Sequence, residues 1–345
     1  MQNISNFTSL EPINVNDKRV INGKTDINQL APFKYEWAWE FFLKANNNHW
    51  TPNEINMSND LADYTTRLTP AEKHLYENVL AYLTTADILA MRNIGLAVME
   101  KMSAPELQIY QARQVYEESL HTWTYQHCIE SLNLDQREIY NRYRTVPEIF
   151  GKIKISNRRL NKILRSDLDL SKRENVRDFI LSYAFFAMIF EGAWFYNGFT
   201  PIFALQRRGL MKGTAEQFQY IMRDETLHAA FGIKTLKTLM QEENYTPPYE
   251  YFEYMFEECL KAETDYINYL LPEPILGYNA EMHIQQYKYI VNRRCRQIGI
   301  AEPYTDAENV ITWLDEQVNL KKEKNFFETR VTEYKSNSDL DWGDD

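Results

Sequence analysis

From Tyr35 onward, apolar residues recur three and four positions apart almost without a break, and almost no stretch alternates as a strand would. The spacing predicts helices near Tyr35–Lys44, Pro70–Lys101, Ala104–Leu132, Asp135–Arg144, Pro147–Leu164, Arg173–Gln206, Thr214–Gln241, Tyr249–Tyr269 and Asn279–Ile298. Thr69 and Pro70 suit an N-cap and a first helical position, with Glu72 in the first turn. Several of these helices are long, which points to an all-α bundle. Residues 1–30 are polar and Asn-rich, as in a flexible arm, and the chain turns polar again after Glu316.

One helix needs separate treatment. The run FILSYAFFAMIFEGAWFYNGF, Phe179–Phe199, has Glu191 as its only charge and could by length cross a membrane. A carboxylate inside it, with charged flanks but no anchoring pattern, favours a helix buried on all sides of a large bundle. Glu191 must then be paired, protonated or bound to a metal.

Composition narrows the function. Of 345 residues, 44% are hydrophobic and 14% aromatic, enough for a packed interior. The net charge of −11 and the lack of an extended basic stripe exclude a nucleic-acid surface, leaving Arg158-Arg159 and Arg293-Arg294 as expected solvated helix faces. Cys128, Cys259 and Cys295 are far apart and form no metal or disulfide spacing, and the N-terminal stretch has no secretory pattern, so a cytoplasmic protein is expected.

The chemistry-bearing pattern is Glu-x-x-His, which occurs twice, as Glu118/His121 and Glu225/His228. One match is near what chance gives; the surroundings add weight. A three-residue step puts both side chains on one helix face. Asp87 lies in the apolar row Leu83, Asp87, Ala90, Ile94, and Glu191 is the lone charge of its helix. Four helices thus offer Asp, Glu-His, Glu and Glu-His inward, the ligand set of ferritin-like dinuclear carboxylate proteins. Four carboxylates with two imidazoles suit two divalent first-row ions better than a structural zinc. Glu117 and His127, which flank the first motif, are not expected to be ligands.

Order and spacing together resemble the small, radical-generating subunit of class I ribonucleotide reductase, from about Tyr35 to the C-terminus. The stretches that carry the resemblance are YEWAWEFFLKANNNHWTPNEINMSND, TTADILAMRNIGLAV, YEESLHTWTY, FEGAWFYNGF and YIMRDETLH. It implies a ferritin-like bundle with additional helices, a dimetal domain over 31–317 and a flexible tail, 318–345. By the same resemblance, Asp87, Glu118, His121, Glu191, Glu225 and His228 are the metal ligands and Tyr125 holds the radical position. Phe195, Phe199 and Ile221 would line its apolar pocket, Trp50 and Asp224 would relay the radical, and Tyr334 would carry it to the large subunit.

The resemblance further implies a dinuclear centre, of two iron ions first and manganese or mixed pairs next, a homodimer, and a large partner subunit docked by the acidic tail through Leu340 and Trp342. A flavoprotein activase is compatible with the subgroup that the WAWE and FFETRVTEY stretches resemble, in which some members have Phe at the Tyr125 position and the oxidant stays on the metals. The rival readings are an oxidase or monooxygenase on the same scaffold, which needs neither Trp50 nor Tyr334, and an iron-storage protein, which needs no tail.

Overall fold

The computed structural model describes residues 14–21, 30–275 and 277–314. Its principal helices are α1 (Glu36–Ala45), α2 (Ser58–Thr66), α3 (Pro70–Asn93), α4 (Pro105–Ser131), α5 (Gln136–Thr145), α6 (Pro147–Leu160), α7 (Arg173–Arg207), α8 (Lys212–Glu242), α9 (Tyr249–Leu270) and α10 (Ala280–Ile298). Among the described residues, β pairing is confined to the isolated bridges Ile21–Met102 and Ile275–Tyr278. The expected all-α bundle is what the chain forms.

Local chemistry explains where the site-bearing helices begin. At the start of α3, Glu72 N donates to Thr69 Oγ1 at 3.3 Å and Thr69 N donates back to Glu72 Oε2 at 2.9 Å, a reciprocal cap. Helix α8 starts after Met211, whose φ of 51° turns the chain sharply. Asp60 then caps it, accepting from Gly213 N at 2.8 Å, Thr214 N at 2.6 Å and Thr214 Oγ1 at 2.7 Å. Asp60 belongs to α2, a helix the apolar spacing does not predict, because its sequence SNDLADYTT is mostly polar. Its buried face is made of Asp60 and Asp63, which serve another helix's N-terminus.

Helix α3 packs along α4, and the middle of α7 packs along α8. The 18-residue apolar window of α7 is 94% buried, so it is a core helix. Within α7, Phe186–Phe195 is π-helical, and a second π-helical stretch, Ile94–Val98, continues α3.

Two expectations need correction. Within the N-terminal arm expected to be flexible, residues 14–21 are docked: Val20 and Ile21 are fully buried, and Lys18 Nζ meets Glu106 Oε1 at 3.2 Å. Arg159 and Arg294, expected on solvated faces, are buried as well. Arg159 pairs with Glu258 at 2.8 Å, and Arg294 turns into the core toward α7. The C-terminal tail, with Tyr334, Leu340 and Trp342, lies outside the described residues.

Candidate metal centre

Helices α3, α4, α7 and α8 each deliver acid or imidazole to one point in the core. Asp87, Glu118, His121, Glu191, Glu225 and His228 are all buried. They fall into two groups that could each hold an ion: Asp87, Glu118 and His121, and Glu118, Glu191, Glu225 and His228.

Distances show how the groups join. His121 Nδ1 lies 3.2 Å from Glu225 Oε1, 3.7 Å from Glu118 Oε2 and 3.8 Å from Asp87 Oδ2. His228 Nδ1 lies 3.2 Å from Glu118 Oε1, 3.5 Å from Glu225 Oε2 and 3.8 Å from Glu191 Oε2. Glu118 and Glu225 therefore turn one oxygen toward each histidine, as bridging carboxylates do, while Asp87 stands at the His121 side alone and Glu191 at the His228 side alone.

Both carboxylate oxygens of Asp87, Glu118, Glu191 and Glu225, and Nδ1 of each histidine, have no hydrogen-bond partner. So many buried acceptors converging without donors would be strongly unfavourable unless cations or protons share the space. The donor set is hard oxygen plus imidazole, with no thiolate, and it fits a pair of divalent first-row ions.

Electrostatics follow from that crowding. Burial, and then the neighbouring Glu118, pushes Asp87 and Glu191 well above the usual carboxylate range. Burial would raise Glu225 too, but His228 and His121 outweigh it and hold Glu225 low. Burial works against protonation of the two histidines; the surrounding carboxylates overcome it and raise both.

The far nitrogens of the imidazoles are anchored in a reciprocal pattern. His121 Nε2 lies 3.2 Å from Asp224 Oδ2, and His228 Nε2 lies 2.8 Å from Glu117 Oε2. Each anchor directly precedes the Glu of the opposite motif, so each of the two helices orients the other's histidine. Glu117 in turn accepts from Arg113 Nε at 2.8 Å. Its place outside the two groups agrees with expectation, but its anchoring role does not show in the sequence, because the partner histidine comes from another helix. His127 joins neither group.

Trp50 Nε1 donates to Asp224 Oδ2 at 3.2 Å, and its ring stacks on Tyr220 at 5.4 Å and lies nearly parallel to the His121 ring at 6.4 Å. Trp50, Asp224 and His121 thus form one continuous contact path. A cavity of about 190 Å³ lined by Asn48, Trp50, Arg113 and Leu120, among others, lies at its outer end.

Tyr125 is fully buried on α4, and its hydroxyl has no hydrogen-bond partner. Burial and then the charge of Asp87 push its phenol well above the usual range, which places it on the Asp87 side of the site. Phe195, Phe199 and Ile221 are fully buried as well. The ring against Tyr125 is Phe218, at 5.6 Å, with Phe199 edge-on to Phe218 at 5.5 Å. Phe218 is one of 18 phenylalanines, and no local spacing singles it out.

The family described as ribonucleotide reductase, small chain, matches residues 27–311. The ribonucleoside-diphosphate reductase subunit beta of Chlamydia pneumoniae is 35% identical over 96% of this chain and 97% of its own length. The solved structure of the ribonucleotide reductase R2 subunit from Clostridium botulinum superposes with a TM-score of 0.78 at 25% identity, covering 87% of this chain and 93% of that one. The dimanganese(II)-NrdF of Streptococcus sanguinis shares the fold, with a TM-score of 0.67 at 19% identity over 84% of this chain and 98% of that one.

Proposed function

Because the chain belongs to the ribonucleotide reductase small-chain family, we propose that Asp87, Glu118, His121, Glu191, Glu225 and His228 hold its metal pair and that Tyr125 stores the oxidising equivalent. As a family member the chain is a small subunit of ribonucleoside-diphosphate reductase, an oxidoreductase that works with a large subunit, and its metal centre is dinuclear. When bound, two first-row ions supply the redox chemistry that draws an oxidising equivalent from an oxygen species. We read the pair as iron, with manganese or a mixed pair compatible with the same donors.

The observation that carries this reading is the set of unpartnered carboxylate oxygens facing two unpartnered imidazole nitrogens. Glu118 and Glu225 span the two positions, Asp87 and Glu191 close their ends, and Asp224 and Glu117 fix the imidazole tautomers from behind. Tyr125 gives up one electron and its phenolic proton when it is oxidised, and Asp87 is the charge that acts most strongly on its phenol. The packed rings around Tyr125 keep water and reductants from the phenoxyl oxygen.

The equivalent then travels outward through His121, Asp224 and Trp50, a hydrogen-bonded route that an oxidase acting on its own substrate does not need. Tyr334 continues it toward a cysteine of the large subunit, which reduces ribonucleotides to deoxyribonucleotides. In this reading residues 31–317 are the dimetal body, and the acidic tail 318–345 docks the large subunit with Leu340 and Trp342 as anchors. The setting is cytoplasmic, and a flavoprotein activase is compatible with it.

A homodimer is supported by an exposed apolar seam along α3 and α4. Ile88, Leu96, Tyr116 and Trp123 are between 43% and 58% exposed, and Ser119 Oγ touches Met91 Sδ at 3.4 Å across the seam.

Metal analysis combined with a nucleotide-reduction assay tests the proposal. Two ions per chain are expected, with turnover only when metals and the purified large subunit are both present. A chain that holds no metal pair, or that turns over without the large subunit, would sink it.

A further inference from the structure

Arg294 lies on α10, outside the four site helices, yet its side chain is buried and its Nε donates to Gly192 O at 2.8 Å. Gly192 immediately follows Glu191 and lies within the π-helical stretch Phe186–Phe195. In a π-helix each carbonyl pairs with the N–H five residues on, so the ring is wider by one residue. Such stretches are rare and mostly one turn long, whereas this one spans 10 residues.

Two glycines make room for the wide form. A Cβ on Gly192 would fall 2.5 Å from Ala187 O and 3.1 Å from Arg294 Nε. A Cβ on Gly232 would fall 3.0 Å from the Ala187 side chain. Gly232 is one turn beyond His228 on α8, so the widened part of α7 is seated against α8 beside the site.

The burial of Arg294 is otherwise hard to account for. Among the described residues no carboxylate forms an ion pair with it. Its Nη1 reaches Gln297 Oε1 at 3.1 Å, and the guanidinium lies 5.5 Å from the centre of the Tyr196 ring. Burial lowers its pKa to about 10, an electrostatic penalty that an exposed arginine on the same helix would avoid. What the buried position provides is a charged donor for a main-chain carbonyl next to Glu191.

We propose that Arg294 is a positioning residue for the metal site, which fixes the wide helical register at Gly192 and thereby sets the direction in which Glu191 projects. This rests on Glu191 being a ligand, as argued above. Each helical residue turns the chain by about 100°, so a register change of one residue swings the Glu191 carboxylate away from its place 3.8 Å from His228 Nδ1. The His228 side then loses the terminal carboxylate that the His121 side keeps in Asp87. The effect is confined to one of two ions, because Asp87, Glu118 and His121 stand on α3 and α4 and do not depend on α7.

The test is a manganese(II) titration of the metal-free full-length chain, followed by electron paramagnetic resonance. The native chain binds two ions as a spin-coupled pair. Arg294→Met binds the first ion with native affinity, while the second is weakened by at least about 10-fold and the coupled signal is lost until manganese is in excess. Arg294→Lys, which keeps a charged donor, recovers part of that affinity. Two ions bound to Arg294→Met with native affinity and coupling would overturn the proposal, as would equal weakening of both ions or a Lys variant no better than Met. If Arg294→Met does not fold, Gly192→Ala attacks the same contact from the other side. Selective loss of the second ion then supports the proposal, and native binding of both ions overturns it. A native chain that binds no manganese would overturn the ligand assignment itself, an outcome distinct from the others.

Discussion

Loading the site with metal should expel protons, and the burial of the cluster shows which groups give them up. Asp87 and Glu191 are raised well above the usual carboxylate range, by burial first and by Glu118 next, so the metal-free site favours the protonated form of each. Both histidines are raised as well, against the effect of burial, by the carboxylates around them. A divalent ion needs these groups deprotonated. Protons should therefore leave as the pair binds, Asp87 and Glu191 being the carboxylates that give them up. Each proton released makes the overall affinity fall about 10-fold for each pH unit of acidification, or about 1.4 kcal/mol. Isothermal calorimetry with manganese(II), in buffers of different ionisation heat at pH 7 and again at pH 6, measures both quantities. Heats that do not depend on the buffer, with affinity unchanged between the two pH values, would refute the reasoning, because the carboxylates would then already be ionised and solvated.

Four further outcomes are expected. Lys152 Nζ is fully buried 2.7 Å from Glu263 Oε2, so Lys152→Met should destabilise the fold by about 3–5 kcal/mol in denaturant titrations, and adding Glu263→Gln should recover most of that loss. Glu263 itself is held at about 2 rather than its ordinary 4.5, because Lys152 and His283 outweigh the burial that would raise it. Its contribution to stability, about 3 kcal/mol, is thus present above pH 4.5 and is lost as pH falls toward 2, which acid unfolding of the native chain against Lys152→Met/Glu263→Gln will show. Asp224→Asn should keep the metal pair while lowering turnover with the large subunit by about 10–100-fold, and unchanged turnover would remove Asp224 from the relay. Leu96→Arg should shift sedimentation from dimer to monomer; a persistent dimer would place the interface away from the α3/α4 seam.

Much of the site could be read from the chain because its signals are local. Glu-x-x-His is complete within one helical turn, and Asp87 and Glu191 stand out as charges in apolar rows. What escaped depends on contacts between helices. Helix α2 buries aspartates instead of an apolar stripe, since its work is to cap α8, so hydrophobic periodicity passes over it. Glu117 reads as one more polar residue beside a ligand until His228 arrives from α8. The widening of α7 adds no unusual residue type, and Gly192 acquires meaning only when Ala187 O is found where a Cβ would be. Arg294 looked solvated because it sits in a basic pair; its partner is a carbonyl about 100 residues earlier in the chain, a target with no sequence signature.

Electron paramagnetic resonance, with metal analysis of the same samples, tests most directly whether this subunit stores its oxidising equivalent on Tyr125. The chain is loaded anaerobically with iron(II), exposed to oxygen, and compared with Tyr125→Phe. The native chain should bind two ions and develop a tyrosyl signal that the variant lacks, and the variant should bind the same two ions yet fail to support turnover with the large subunit. An oxidised signal and full turnover that both survive in Tyr125→Phe would contradict the assignment and place the equivalent on the metals.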